Sequence, residues 1–156
     1  FNVRGLQLIM LLDMLMCELP STFITHHTYT HRVVGIEHIK ELADQSVVNL
    51  EKSHKSKLES GQMKIVCGDG RKGYEQDGPY DAIHTGAAAD ESVVPILLEQ
   101  LNENGVLLGP FNSSMGSSSQ EFRSYVRKAD GSAKMTPLMG VQYVPLTAEA
   151  NQRAGR

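Results

Sequence analysis

Arg32-Val33-Val34-Gly35-Ile36-Glu37 followed by His38-Ile39-Lys40-Glu41-Leu42 is the stretch on which the reading of this chain turns. Six residues rich in β-branched side chains and closing on a carboxylate read as a short buried strand. From Ile39 onward Leu42, Ala43, Val47 and Leu50 recur at helical spacing, which predicts a helix over residues 38–54 with one stripe against a sheet. A second strand, Met63-Lys64-Ile65-Val66-Cys67, follows the Ser60-Gly61 break and ends in Gly68-Asp69-Gly70. Two strands that each close on an acidic residue, with one amphipathic helix between them, are the lower rim of a nucleotide-type pocket. In α/β sheets ligands collect beyond the carboxyl ends of the strands, and a carboxylate there accepts hydrogen bonds from a ribose's two hydroxyls.

Working outward, Asp81-Ala82-Ile83-His84 reads as a further strand entering the small-residue stretch 85–89. Pro95 suits the first turn of a helix with Leu97, Leu98 and Leu101 on its apolar face, and Gly105 suits its left-handed stop. Val106-Leu107-Leu108 is the next strand. After the Ser/Gly-rich residues 112–119, two strands are expected at 121–127 and 134–138, joined by Ala129-Asp130-Gly131-Ser132 with its Asp-Gly turn signal, and a last one at 140–146. Alternating strand and helix units with long connections predict a mostly parallel sheet, finished by antiparallel strands.

Composition narrows the function classes. The 156 residues suit one domain, and 40% hydrophobic content is enough for one buried core. A net charge of −3, with Lys and Arg unclustered apart from His54-Lys55-Ser56-Lys57, argues against a nucleic-acid surface. That basic cluster reads as a solvated helix end. Cys17 and Cys67 do not form a disulfide framework, and Cys67 is expected to act as a small hydrophobe within its strand, so a reducing cytosol is the default. The apolar run 6–17 is interrupted by Asp13 and too short to span a bilayer, and reads as a buried or misplaced helix. The chain is therefore not expected at a membrane. A first residue of Phe rather than Met suggests a start that is not the natural one.

Single residues have ordinary readings. Glu37 alone could cap the following helix, a contribution of about 0.3–1 kcal/mol, and Asp69 alone could be a turn residue. Together, at successive strand ends beside glycines that let a planar ring approach the backbone, they favour a nucleoside site. His26, His27 and His31 have a spacing compatible with a metal on one helical face, but their threonine-rich surroundings disfavour helix and no third ligand stands out, so no metal is assigned. His84 could be a general base; a hydrogen-bonded core histidine is the commoner outcome, and no catalytic residue is assigned.

Four motifs in order then resemble the protein-L-isoaspartate O-methyltransferase family, of animal type: Val34-Gly35-Ile36-Glu37-His38-Ile39-Lys40-Glu41-Leu42; Gly68-Asp69-Gly70-Arg71 with Gly73-Tyr74; Pro79-Tyr80-Asp81-Ala82-Ile83-His84-Thr85-Gly86-Ala87-Ala88-Ala89; and Pro137-Leu138-Met139-Gly140-Val141-Gln142-Tyr143-Val144-Pro145-Leu146-Thr147. The resemblance covers residues 32–152. It implies a Rossmann-like α/β methyltransferase sheet and an enzyme that uses S-adenosyl-L-methionine to methylate isoaspartyl carboxylates in damaged proteins, a cytosolic monomer engaged in protein repair. It further implies that Glu37 and His38 flank the cofactor ribose, that Asp69 and Gly70 meet the adenine, and that Thr147 and Gln152 close over the cofactor. Glu37 stands where the family usually has Asp.

The departures lie mostly upstream. The family's glycine-rich turn, whose amides meet the methionine part of the cofactor, has no counterpart in residues 1–31, where Gly5 is the sole glycine. The upstream substrate-binding segment and its serine are also unmatched, Ser21 included. Arg153 stands where a tryptophan usually follows the glutamine. The chain is thus expected to comprise a divergent leader, 1–31, and the C-terminal two-thirds of the family domain, 32–156, with the first βα unit missing or replaced. Two functions remain open: the methyltransferase, or an inactive remnant or splice form acting at most as a binding module. A nicotinamide-dependent oxidoreductase is a distant third, since its glycine fingerprint is equally absent.

Overall fold

The computed structural model describes residues 9–13, 32–113 and 119–154. They build one seven-stranded sheet in the order β3-β2-β1-β4-β5-β6-β7, where β1 is Ile9–Asp13, β2 Arg32–Glu37, β3 Met63–Cys67, β4 Tyr80–Thr85, β5 Leu101–Asn112, β6 Gln120–Arg127 and β7 Ala133–Val141. Three helices accompany them: α1 Lys40–Glu59, α2 Val94–Glu99 and α3 Glu149–Arg153. None is long and apolar enough to cross a membrane. Helix α1 lies against β2 and β3, and α2 against β5.

Parallel pairing of β2 with β3 and of β4 with β5 follows from their helical crossovers. Strand β6 runs antiparallel to β5, and β7 antiparallel to β6. The chain reverses between β6 and β7 at Asp130 and Gly131, the latter at φ 80°, with Lys128 N donating to Ser132 O at 2.8 Å. The expected late antiparallel strands are present, but 134–138 and 140–146 are not two strands. They merge into β7, which ends at Val141, and residues beyond it run on to a single parallel bridge between Pro145 and Ala88.

Strand β1 departs furthest from expectation. The apolar run at 6–17 was expected to be helical, yet Ile9–Asp13 is a strand inserted between β2 and β4 and antiparallel to both, pairing Ile9 with Ile36 and Thr85, and Asp13 with Arg32. Tertiary context overrides helix preference here, because the facing edges of β2 and β4 each present a row of amides and carbonyls that only a strand can satisfy. Strands β2, β3, β4, β5 and β7 still share one direction; β1 and β6 oppose them.

Smaller differences have local causes. Helix α1 continues past residue 54 through a kink at His54 (φ −132°) to Glu59, supported by Lys40–Asp44 and Lys55–Glu59 pairs one turn apart. Helix α2 ends at Glu99, so Leu101 opens β5 instead of continuing the helical face, and the left-handed residue is Asn104 (φ 64°), not Gly105. Gly105 is packed so closely that a Cβ would stand 3.1 Å from Tyr80 O. Cys67 is exposed, not a buried hydrophobe, since β3 is an edge strand. Cys17 and the histidines at 26, 27 and 31 lie outside the described residues, as does most of the Ser/Gly-rich segment.

The core gathers Val34, Ile36, Tyr80, Ile83, Leu97, Leu101, Leu107 and Phe111, with Phe111 and Tyr125 meeting edge to face at 5.1 Å. Arg123 of β6 is buried beside it. Its guanidinium binds Glu91, Glu121 (Nε to Oε2, 2.9 Å) and the Tyr125 hydroxyl (3.3 Å). Burial opposes its charge, and the hydrogen bonds of Tyr125, Glu91 and Glu121 outweigh that opposition, so its pKa lies above the ordinary arginine value.

Candidate functional site

Because β2 and β3 are parallel with Glu37 level with Cys67, the two acidic strand ends fall on one edge of the sheet. Gly68 N donates to Glu37 O at 3.0 Å, which fixes the spacing at which the chain leaves both strands. Glu37 is completely buried. Its Oε1 accepts the Ile39 N–H at 2.8 Å, just ahead of α1, so the carboxylate fixes the turn into the helix but caps none of its first-turn amides. His38 Nε2 lies 3.9 Å from the same oxygen and hydrogen-bonds Gln152 Oε1.

Asp69 begins a single 3₁₀ turn, Gly70–Lys72, whose first residue is buried. Its carboxylate accepts from Arg71 N at 3.1 Å and from the Arg71 guanidinium at 2.9 Å (Nε) and 2.7 Å (Nη2), a fork-on-fork pair. The hydrogen bonds from Arg71 hold the Asp69 carboxyl below the usual carboxylate range. The sequence motif alone gives Arg71 no role; the i,i+2 spacing of Asp and Arg about a glycine is its signal.

The tail reaches the same edge through the small-residue stretch. Ala88 N donates to Val144 O at 2.9 Å and Leu146 N to Ala88 O at 2.7 Å, laying residues 144–146 along residue 88. Alanines at 87, 88 and 89, all fully buried, allow that approach. Thr147 follows with its hydroxyl oxygen buried, and α3 places Gln152 against His38. Arg153 pins α3 to the start of α1, its Nη2 2.7 Å from Glu41 Oε2 and its Nε 2.8 Å from Glu149 Oε1. An ion pair thus stands where the family's tryptophan was expected.

All six candidate residues therefore belong to one side of the sheet's carboxyl edge or to the tail that folds onto it: Glu37, His38 and Gln152 directly in contact, Asp69 and Gly70 on the adjoining strand end, Thr147 on the approach. His84 lies apart from them on β4, half-buried, with burial pushing its imidazole pKa below the usual value. No group of three or more His, Cys, Asp or Glu able to hold a metal occurs among the described residues. The donor set fits a nucleoside: carboxylates for hydroxyls and ring amines, with backbone close by at Gly68 and Gly70. As enclosed here Glu37 has no oxygen facing solvent, so a ribose reaches it only when a neighbouring group moves aside.

A sheet whose strands β2 and β3 present acidic ends to a common edge, closed by late antiparallel strands, defines the α/β methyltransferase class. Residues 21–151 match the family described as Protein-L-isoaspartate(D-aspartate) O-methyltransferase (PCMT), and the chain belongs to that family. Protein-L-isoaspartate O-methyltransferase 2 of Arabidopsis thaliana is 45% identical over 125 residues, covering 80% of this chain and 39% of that protein. The Triticum aestivum protein-L-isoaspartate O-methyltransferase is 43% identical (78% and 51% covered) and that of Caenorhabditis elegans 39% (77% and 52%). The chain spans 39–52% of the length of these relatives. The crystal structure of a Plasmodium falciparum protein described as a member of the same family, in complex with S-adenosyl-L-homocysteine, superposes with a TM-score of 0.62 at 27% identity, over 73% of this chain and 51% of that one.

Proposed function

We propose that this chain is the cofactor-side portion of a protein-L-isoaspartate O-methyltransferase of animal type, and that the enzyme it belongs to transfers a methyl group from S-adenosyl-L-methionine to isoaspartyl carboxylates of damaged proteins. The observation that carries the reading is the pair of acidic strand ends, Glu37 and Asp69, on one edge of the sheet in a chain of this family. The cofactor supplies a sulfonium-bound methyl group open to attack by a carboxylate oxygen. This chain's own residues bind and orient it: the Glu37 carboxylate and His38 at the ribose, Asp69 and the Gly70 backbone at the adenine, Thr147 and Gln152 from the tail. No residue is assigned to proton transfer, since the isoaspartyl carboxylate is already a competent nucleophile when ionised, and positioning supplies the rate, up to about 7–11 kcal/mol of barrier.

The same proposal takes residues 1–31 as standing in place of the family's first βα unit, with β1 completing the sheet built by 32–156 and the match to the family beginning at residue 21. Action without nucleic acid is supported by the net charge of −3 and the scarcity of Lys and Arg clusters in the sequence, and a cytosolic monomer is proposed with it. A second reading, a binding module without activity, draws support from β1. Because that strand runs backwards, its carboxyl end, Asp13, lies beside Arg32 at the far edge of the sheet, and among the described residues no strand-to-helix turn rises from the central slot at the ligand edge.

Radiolabelled methyl transfer to an isoaspartyl peptide tests both. The 156-residue chain is expected to be inactive and to bind S-adenosyl-L-homocysteine weakly, each missing hydrogen bond costing about 0.5–3 kcal/mol. A chimera with the family's N-terminal third placed ahead of Arg32 is expected to be active. An inert but folded chimera refutes the first reading, and sub-micromolar binding by the chain alone refutes the account of residues 1–31.

A further inference from the structure

Gln100, the residue that follows α2, is 5% exposed and carries a buried carboxamide. That carboxamide is fully used. Oε1 accepts the Tyr74 N–H at 2.7 Å, while Nε2 donates to Lys72 O at 2.7 Å and to Ile96 O at 3.3 Å. It therefore bridges the peptide groups on both sides of Gly73. Gly73 has φ +63°, and a Cβ there would fall 2.2 Å from Gln100 Oε1 and 2.5 Å from Nε2. The glutamine side chain occupies the space a side chain at 73 would need, so the two residues form one unit.

From that unit the backbone leads straight to the candidate site. Lys72 N donates to Asp69 O and Gly73 N to Gly70 O, each at 3.0 Å. Fixing Lys72 and Tyr74 thus fixes the 3₁₀ turn that aims Asp69 and Gly70. The anchor itself is rigid: Gln100 O accepts Tyr80 N at 2.8 Å, tying it to the start of β4, and the Tyr80 hydroxyl donates to Tyr74 O. We propose that Gln100 is the positioning residue of the Asp69–Tyr74 loop, setting from within the core the geometry of a nucleoside site it never touches; the nucleoside part of this rests on the function proposed above.

Only a group with an acceptor and a donor on one planar carbon serves here. Asparagine is a methylene too short, leucine offers neither function, and an ionised glutamate turns a negative oxygen toward the Lys72 and Ile96 carbonyls. A protonated glutamate, in contrast, presents C=O and O–H in the same fork, so Gln100→Glu is restorable by acid whereas Gln100→Leu is not.

The test uses the full chain and its Gln100→Leu and Gln100→Glu variants, with wild type at every pH as the control. Amide hydrogen exchange of Arg71, Lys72, Gly73 and Tyr74 is followed by NMR between pH 5 and 9, alongside β4 and β5 amides as a readout of the core. Gln100→Leu should lose at least tenfold protection in the loop at every pH with the β4 and β5 amides unchanged, whereas Gln100→Glu should keep most of it at pH 5 and lose it as pH rises through the pKa of its carboxyl, which burial holds above the usual carboxylate range. Calorimetric titration with adenosine and S-adenosyl-L-homocysteine should show affinity falling and recovering in step. Loop protection unaltered in Gln100→Leu, or lost only together with that of β4 and β5, overturns the positioning role. Failure of wild type to bind either ligand overturns the nucleoside site instead, and the exchange data then decide the loop's anchoring alone.

Discussion

The Arg123 cluster makes a prediction about order as well as size. The guanidinium is 6% exposed, whereas its partners Glu91 and Glu121 are 53% and 40% exposed. Deleting the cation leaves two carboxylates that can rehydrate where they stand; neutralising the two anions leaves a cation sealed in the protein. Arg123→Met exchanges charge-assisted hydrogen bonds for an apolar chain of similar reach and relieves the desolvation of the guanidinium, so it should cost about 1–2 kcal/mol. Glu91→Gln with Glu121→Gln keeps the geometry but strips the compensation from a buried charge, a loss of about 3–5 kcal/mol. Urea unfolding at pH 7 reads both, and the low exposure of Arg123 means that moderate salt should not erase the gap. If Arg123→Met proves the more damaging change, the cluster is held by packing of the arginine stem, and the reasoning from unequal burial is wrong.

Two further outcomes follow from the site's edge. The Asp69 pKa is depressed in the folded chain, so its pair with Arg71 contributes stability above the unfolded value of about 3.9 and loses it as pH falls through the folded one; Asp69→Asn should therefore be less stable than wild type at neutral pH and converge with it in acid, as thermal melts from pH 2 to 7 would register. The Thr85 hydroxyl is buried with no hydrogen-bond partner among the described residues, so Thr85→Val should raise stability by about 1 kcal/mol, and a drop in the chemical-denaturation midpoint would contradict that.

Much of the fold was legible because local signals agreed with it. Arg32–Glu37 and Met63–Cys67 needed only their β-branched runs and the Ser60-Gly61 break, and the Asp130-Gly131 turn announced itself. What escaped was decided at long range. Nothing near Ile9 says strand; the open edges of β2 and β4, distant in sequence, impose it. Leu101 could continue a helical stripe or begin a strand, and the choice falls to its pairing with Tyr80. In the candidate site, Glu37 and Asp69 with its flanking glycines were marked by sitting at strand ends, while His38, Thr147 and Gln152 were reached by resemblance. Gln100 carried no signal, because its partners at 72 and 74 lie 28 and 26 residues away.

Strand β7 closes the sheet with one side unpaired, and Met135, Leu138 and Met139 are each about half exposed or more along it. An edge so apolar would ordinarily invite copies of itself to stack strand on strand in a crowded solution. Pro137 stands in the middle of that run, at the register shift opposite Phe122 and Arg123. With no N–H to offer, it interrupts any ladder an incoming strand could build, leaving too few consecutive bonds on either side to nucleate a fibre. Replacing that one proline would remove a guard against self-association while leaving every contact around Glu37 and Asp69 in place.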